Sequence, residues 1–205
     1  MKKPLIYLAA VFLLCVFSDV ANAQSGDASA IRYPKLRQTL LEMVQADQAV
    51  RMAMLKKGLA HIDSLDVARQ DSVDEANQAC LEGIIRRYGW PTGEMVGQDG
   101  VSAVFLIVQH GDLEFQKAML PHVRKAFEAG ELAGQDWALL TDRVLRKEGL
   151  PQRYGTQVEV VDGKVIVEPL ENEEKVDAWR AELGLPPLAD YIKILEKMYG
   201  QVDQQ

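Results

Sequence analysis

The sequence predicts a mainly α-helical fold: an irregular multi-helix domain with one β-hairpin in its C-terminal half, packed on the helices. Three observations predict it. Apolar residues recur at three- and four-residue steps along most of the chain. Strict alternation of apolar and polar residues occurs around the Asp162-Gly163 pair. Glycine and proline clusters such as Gly89-Trp90-Pro91-Thr92-Gly93 and Gly149-Leu150-Pro151 punctuate the periodic segments.

Residues 1–23 read as a secretory signal peptide. Lys2 and Lys3 form the charged start, Leu5 to Phe17 is apolar, and Ala21-Asn22-Ala23 supplies the small-x-small cleavage pattern. A spanning helix needs about 20 apolar residues, so this segment is too short for a transmembrane anchor. Cys15 suggests lipidation, but Leu14 stands where a small residue normally precedes a lipidated cysteine. The expected mature chain begins at Gln24, in the periplasm or outside the cell.

Charge and cysteine content narrow the class further. The chain carries 23 basic and 30 acidic residues, net −7; removing Lys2, Lys3 and Asp19 leaves 21 and 29, net −8. Nucleic-acid binding relies on Lys and Arg neutralising phosphates, and this balance argues against it. Cleavage would leave Cys80 as the single cysteine, so stability must come from the core rather than an internal disulfide. A mature chain of roughly 180 residues suits one domain, here 34–200 with a 201–205 tail.

The elements follow in order. Residues 24–33 are small and polar and read as a flexible leader. A long helix starts near Pro34, with the apolar stripe Leu36, Leu40, Met43, Val50 and Met54. The charged segment Asp63 to Gln70 has no clear assignment, and a second helix is expected from about Ser72 to Tyr88. The run Val101 to Val108 fits a buried strand or a buried helix by length, and Ala103 favours helix. Phe115, Met119, Val123 and Phe127 mark an amphipathic helix that Pro121 would kink or divide. Trp137, Leu140, Val144 and Leu145 give another. Val158, Val160, Val165 and Val167 alternate about Asp162-Gly163, which predicts a hairpin near 157–168 with a type I′ turn. Glu173 to Leu183 and Leu188 to Tyr199 are the closing helices.

Polar residues interrupt these apolar faces. Asp47 falls on the stripe of the first helix with Arg51 one turn on, Asn77 falls on the inner face of the second, and Asp142-Arg143 is flanked by Leu139 and Val144. A buried unpaired polar group costs about 1–3 kcal/mol, so such residues must satisfy one another or line a wet pocket. Arg51 can simply pair with Asp47 at i,i+4, Asn77 can bond a loop backbone, and Asp142-Arg143 can form a salt bridge to a neighbouring helix. The densest signature is Gln109-His110-Gly111-Asp112 with Gln116, joined by Gln152-Arg153-Tyr154-Gly155-Thr156-Gln157.

Taken together, Asp47-Gln48 with Arg51, Asn77, Tyr88-Gly89-Trp90-Pro91, Gln109-His110-x-Asp112 with Gln116, Asp142-Arg143 and Gln152-x-Tyr154-Gly155-Thr156-Gln157 resemble a bacterial family of uncharacterised domains, the domain of unknown function numbered 6624. The resemblance spans about Leu36 to Gln157. It implies a shared fold and polar cluster and carries no activity. Gly111 departs from the alanine expected there.

Two functions fit. The first is a noncatalytic binding or interaction module for a small molecule or envelope partner, with a pocket of Asp47, Arg51, Gln109, His110, Asp112, Gln116, Asp142, Arg143, Tyr154 and Gln157. Its amides hydrogen-bond but do not titrate. The alternative is a hydrolase-type enzyme acting on envelope material, with His110 as acid/base and Asp112, Asp47 or Asp142 as its partner. No cofactor motif is present. His110 and Asp112, with Asp47 or Asp142, match no established zinc spacing, and no metal is expected.

Overall fold

The computed structural model describes residues 31–58, 61–161 and 164–202. The expected signal peptide, the start of the leader, the Asp162-Gly163 turn and the end of the tail lie outside these residues. The described chain is mainly helical with one two-stranded antiparallel hairpin in the C-terminal half. Contacts gather it into two compact units, one ending at His122 and the other starting at Val123.

The first unit is built on three helices: α1 (Pro34–Lys57), α2 (Ser64–Tyr88) and α3 (Gly93–His110). Proline opens α1, where its missing N–H costs nothing. Before it, the Arg32 and Tyr33 amides donate to the Glu94 and Met95 carbonyls at 3.1 and 2.9 Å, so the last leader residues are tied to the start of α3. α1 ends at Gly58, whose N–H donates to the Met54 and Leu55 carbonyls.

α2 starts eight residues earlier than apolar spacing predicts. Asp63 is the reason. Its side chain accepts from the Leu65 and Asp66 amides at 2.9 and 3.1 Å, and Asp66 returns the bond to the Asp63 amide at 3.0 Å. This reciprocal cap nucleates a charged first turn with little apolar surface. Val101 to Val108 is helical, as its composition predicts, and lies within α3; a kink at Gly97 separates the first turn from the rest.

α1 packs on both α2 and α3, and α2 packs on α3. Leu36, Leu40 and Met43 of α1, Leu81 and Ile84 of α2, and Val101, Val104 and Val108 of α3 are buried. The Arg37–Asp99 ion pair adds a polar tie between α1 and α3.

α4 (Leu113–Glu128) runs through Pro121 as one helix, so proline neither divides nor ends it. In the second unit follow α5 (Gly134–Lys147), β1 (Val158–Val161), β2 (Lys164–Val167), α6 (Val176–Glu182) and α7 (Leu188–Val202). The strands pair antiparallel with Val158 opposite Val167 and Glu159 opposite Ile166. β2 packs on α7, which gives the hairpin the support that two strands alone lack. Val123, Ala138, Leu139, Leu140, Val144, Val176 and Leu195 are buried here.

Gly155 in the α5–β1 connection has φ +70°, and a Cβ there would lie 2.8 Å from Leu188 Cδ1. Both backbone conformation and space therefore demand glycine. Gly155→Ala is expected to lower stability by about 1–3 kcal/mol, measured by urea denaturation; an unchanged midpoint would show that Leu188 gives way at no cost.

Candidate functional site

The residues singled out by the sequence fall into two groups, one in each unit. In the first unit they meet at the junction of α1, α2 and α3. Asp47 points inward from α1 because it occupies the stripe of Leu36, Leu40 and Met43. Its Oδ1 accepts from Arg51 Nη1 at 2.6 Å and lies 2.8 Å from His110 Nδ1 on α3; its Oδ2 accepts from Gln48 Nε2 at 2.6 Å. Arg51 in turn forks onto Asp74 of α2, with Nη1 to Oδ1 at 3.1 Å and Nη2 to Oδ2 at 2.9 Å. The side chains of Asp47, His110, Arg51 and Asp74 are 2, 9, 10 and 14% exposed, so water screens these charges poorly and their pairing is strong.

Burial pushes the Asp47 carboxyl up, but the His110 contact, with help from Arg51 and the Gln48 amide, more than offsets this and holds it below the ordinary carboxylate range. Asp74 goes the other way: burial raises it, Arg51 pulls it down, and the nearby Asp47 charge raises it again, for a net upward shift. Donor atoms of Asp47, Asp74 and His110 lie within 4.8 Å of one another, a spacing compatible with a metal ion. Arg51 Nη1, bonded to both carboxylates, already supplies a positive charge there.

The rest of the Gln109–Gln116 signature is a helix-to-helix corner. Asp112 caps α4: its Oδ1 accepts from the Phe115 amide at 2.8 Å, and Gln78 Nε2 donates to its Oδ2 at 3.2 Å. Gln116 Nε2 donates to the Gln109 main-chain carbonyl at 2.7 Å, satisfying a carbonyl of the last turn of α3 that has no helical partner. Gln109 itself is buried. Asn77 Nδ2 donates to the Met43 carbonyl at 3.2 Å, a backbone partner on helix α1 rather than the loop backbone expected for it. Gly111 also finds its reason here. A Cβ would stand 2.4 Å from Phe115 Cδ1, so glycine lets that ring close over the corner.

In the second unit Asp142 of α5 organises the loop before the hairpin. Its carboxylate accepts from the Arg153 amide at 2.8 Å, the Tyr154 amide at 3.0 Å, and the Thr156 amide and hydroxyl both at 2.9 Å. Burial drives its titration upward, against the pull of these donors. Gln152 closes the same loop. Its Oε1 accepts from the Gln157 amide at 2.8 Å, while Nε2 donates to the Gln157 and Glu168 carbonyls at 2.9 and 2.8 Å. The Gln157 side chain donates to Thr156 Oγ1 at 3.1 Å. Tyr154 is buried, and its carbonyl accepts from Arg180 Nη1 at 2.6 Å. Arg143 is half-buried beside Asp142 on α5.

Two participants escaped the sequence reading, Asp74 and Arg180. Asp74 lies three residues before Asn77, on the same face of α2. Arg180 lies four residues after buried Val176 on α6. Both spacings were available as signals.

Fold and site together define a mainly α-helical protein whose polar signature residues pair inside helix junctions and a braced loop. The chain belongs to the family of unknown function DUF6624, which it matches over residues 34–203. The match extends through the hairpin and both closing helices. No curated protein and no solved structure matches the chain.

Asp142→Ala removes the acceptor of three amides and a hydroxyl and is expected to cost about 3 kcal/mol or more, read by chemical denaturation; a cost under about 1 kcal/mol would show that the loop does not depend on it. The Asp47 shift carries a pH sign. A carboxyl lowered on folding contributes stability that is fully present above its unfolded value of about 4 and is lost as pH falls through the folded value. Stability curves between pH 7 and pH 2 should therefore be less steep for Asp47→Asn than for the wild type, and equal slopes would contradict this origin.

Proposed function

We propose that this protein is an exported, noncatalytic binding or interaction module for a small molecule or envelope partner. One observation carries the noncatalytic reading: the Asp47 network closes on itself. The Arg51 fork is spent on Asp74 and Asp47, and His110 Nδ1 is spent on Asp47, with every one of these side chains at most 14% exposed. Asp112 and Gln116 are likewise committed to helix ends. Between α1 and α2 lies a shallow groove of about 180 Å³, lined by Ala49, Val50, Ala53, Met54, Asp66 and Arg69, which offers an apolar surface with both signs of charge. Export rests on the charged start, apolar run and Ala21-Asn22-Ala23 pattern of residues 1–23. Among the described residues no helix is long and apolar enough to cross a membrane.

A second reading has its own observation. A histidine held 2.8 Å from a buried carboxylate is the arrangement of an oriented general base. It supports a hydrolase acting on envelope material, with His110 as acid/base and Asp47 as its partner.

Wild type and His110→Gln, assayed on chromogenic ester, amide and glycoside substrates, separate the two. The binding reading expects no turnover that depends on His110, together with a melting temperature a few degrees lower in the variant (about 2–4 °C per kcal/mol for a domain of this size). His110-dependent turnover at unchanged stability would favour the hydrolase. For export, the full chain expressed in a Gram-negative host is expected in the periplasmic fraction with a mass beginning at Gln24; an uncleaved cytoplasmic product would contradict it.

A further inference from the structure

Charge counting singles out His110. Asp47 and Asp74 bring two negative charges into a junction whose side chains are 2–14% exposed, and Arg51 brings one positive charge. An uncompensated charge in such a place is costly, and the cheapest remedy is a proton on one of the members. Asp47 is a poor host for it, because both of its oxygens already accept hydrogen bonds. Asp74 is the competing host, since burial and the nearby Asp47 carboxylate raise it; but both of its oxygens accept from the Arg51 fork, and a proton there would turn that charge-assisted pair into a weaker one. His110 differs. The carboxylate it faces can only accept, so Nδ1 carries hydrogen, and a second ring proton places the balancing charge directly against Asp47 Oδ1.

We propose that His110 is an imidazolium at neutral pH and the second cation of a two-anion, two-cation lock joining α1, α2 and α3. Among the charged groups that face it are Asp47 and Arg51 from α1 and Asp74 from α2. Asp112, two residues further along, is engaged by Gln78 and by the Phe115 amide.

Two consequences follow from the chemistry. A ring already protonated on both nitrogens is not a base, so the lock removes His110 from general-base duty in the resting protein. The lock also has a pH direction. Loss of the ring proton strips Asp47 of one of its two cations, so the junction is tight at neutral pH and loosens as pH rises through that deprotonation, while at the acid end protonation of Asp47 releases it. The inference stands apart from the binding reading, since it concerns the resting protein and holds whether or not a ligand is found.

The test is the NMR titration of the histidine ring carbons and nitrogens in the full folded chain, with His61 and His122 as the other two histidines. His110→Gln assigns the third ring; if it does not fold, His61→Gln and His122→Gln assign it by elimination. Imidazolium shifts for His110 at pH 7 are expected. Asp74→Asn should move its deprotonation down by about one pH unit or more, because an anion beside it is gone. A neutral Nδ1–H ring at pH 7 in the wild type would overturn the proposal. So would an Asp74→Asn variant that folds and titrates unchanged.

Discussion

The Asp47 carboxylate is the constraint on which the first unit depends. It sits on the one face of α1 that the hydrophobic effect drives inward, between Met43 and the end of the helix. An unpaired charge there would consume several kcal/mol, a large share of the 5–15 kcal/mol by which a domain is stable. Its partners therefore have to arrive in fixed places: Gln48 and Arg51 from α1 itself and His110 from the end of α3, with Asp74 of α2 reached through Arg51. Apolar packing between helices tolerates sliding better than a network in which each donor has one acceptor. The ion network thus selects one register of three helices whose Leu, Val and Met contacts alone are more permissive.

The second unit applies the same logic to a loop. Backbone amides of Arg153, Tyr154 and Thr156 turn toward one carboxylate, Asp142. On the carbonyl side, Arg180 Nη1 donates to Tyr154, and the Gln152 amide ties the loop to both ends of the hairpin region through Gln157 and Glu168. A segment outside the helices and strands is thereby braced, because these backbone groups find side-chain partners. Gly155 completes it by adopting a left-handed conformation against Leu188.

Much of this was legible in the sequence. Periodicity located most of the helices and alternation located the hairpin, because those patterns are the direct imprint of one-sided burial; the apolar run Val101 to Val108 has no such period, and Ala103 with its helical surroundings decided for helix. Polar residues breaking the stripes marked Asp47, Asn77 and at least one of the Asp142-Arg143 pair as buried for the same reason; the structure buries Asp142. What the sequence hid were the partners. The start of α2 rests on the Asp63–Asp66 cap rather than on apolar contacts, so a search for stripes misses it. Asp74 and Arg180 look like ordinary surface charges until the fold supplies an opposite group. Asp112 and Gln116 read as pocket residues, yet their atoms serve the ends of α3 and α4; spacing alone does not distinguish a residue that caps a helix from one that waits for a ligand. Pro121 breaks helices by rule, yet α4 continues through it, propensity yielding to tertiary context.

Membership of a family of unknown function fixes no chemistry, so the weight falls on what the buried groups do for one another. The central claim is that Asp47 and His110 are joined for architecture. A double-mutant cycle on Asp47→Asn and His110→Gln, read as unfolding free energy at pH 7, tests it most directly. Coupled loss is the predicted result, with an interaction free energy of about 1–3 kcal/mol between the two sites. Additive losses, agreeing within about 0.5 kcal/mol, would contradict it.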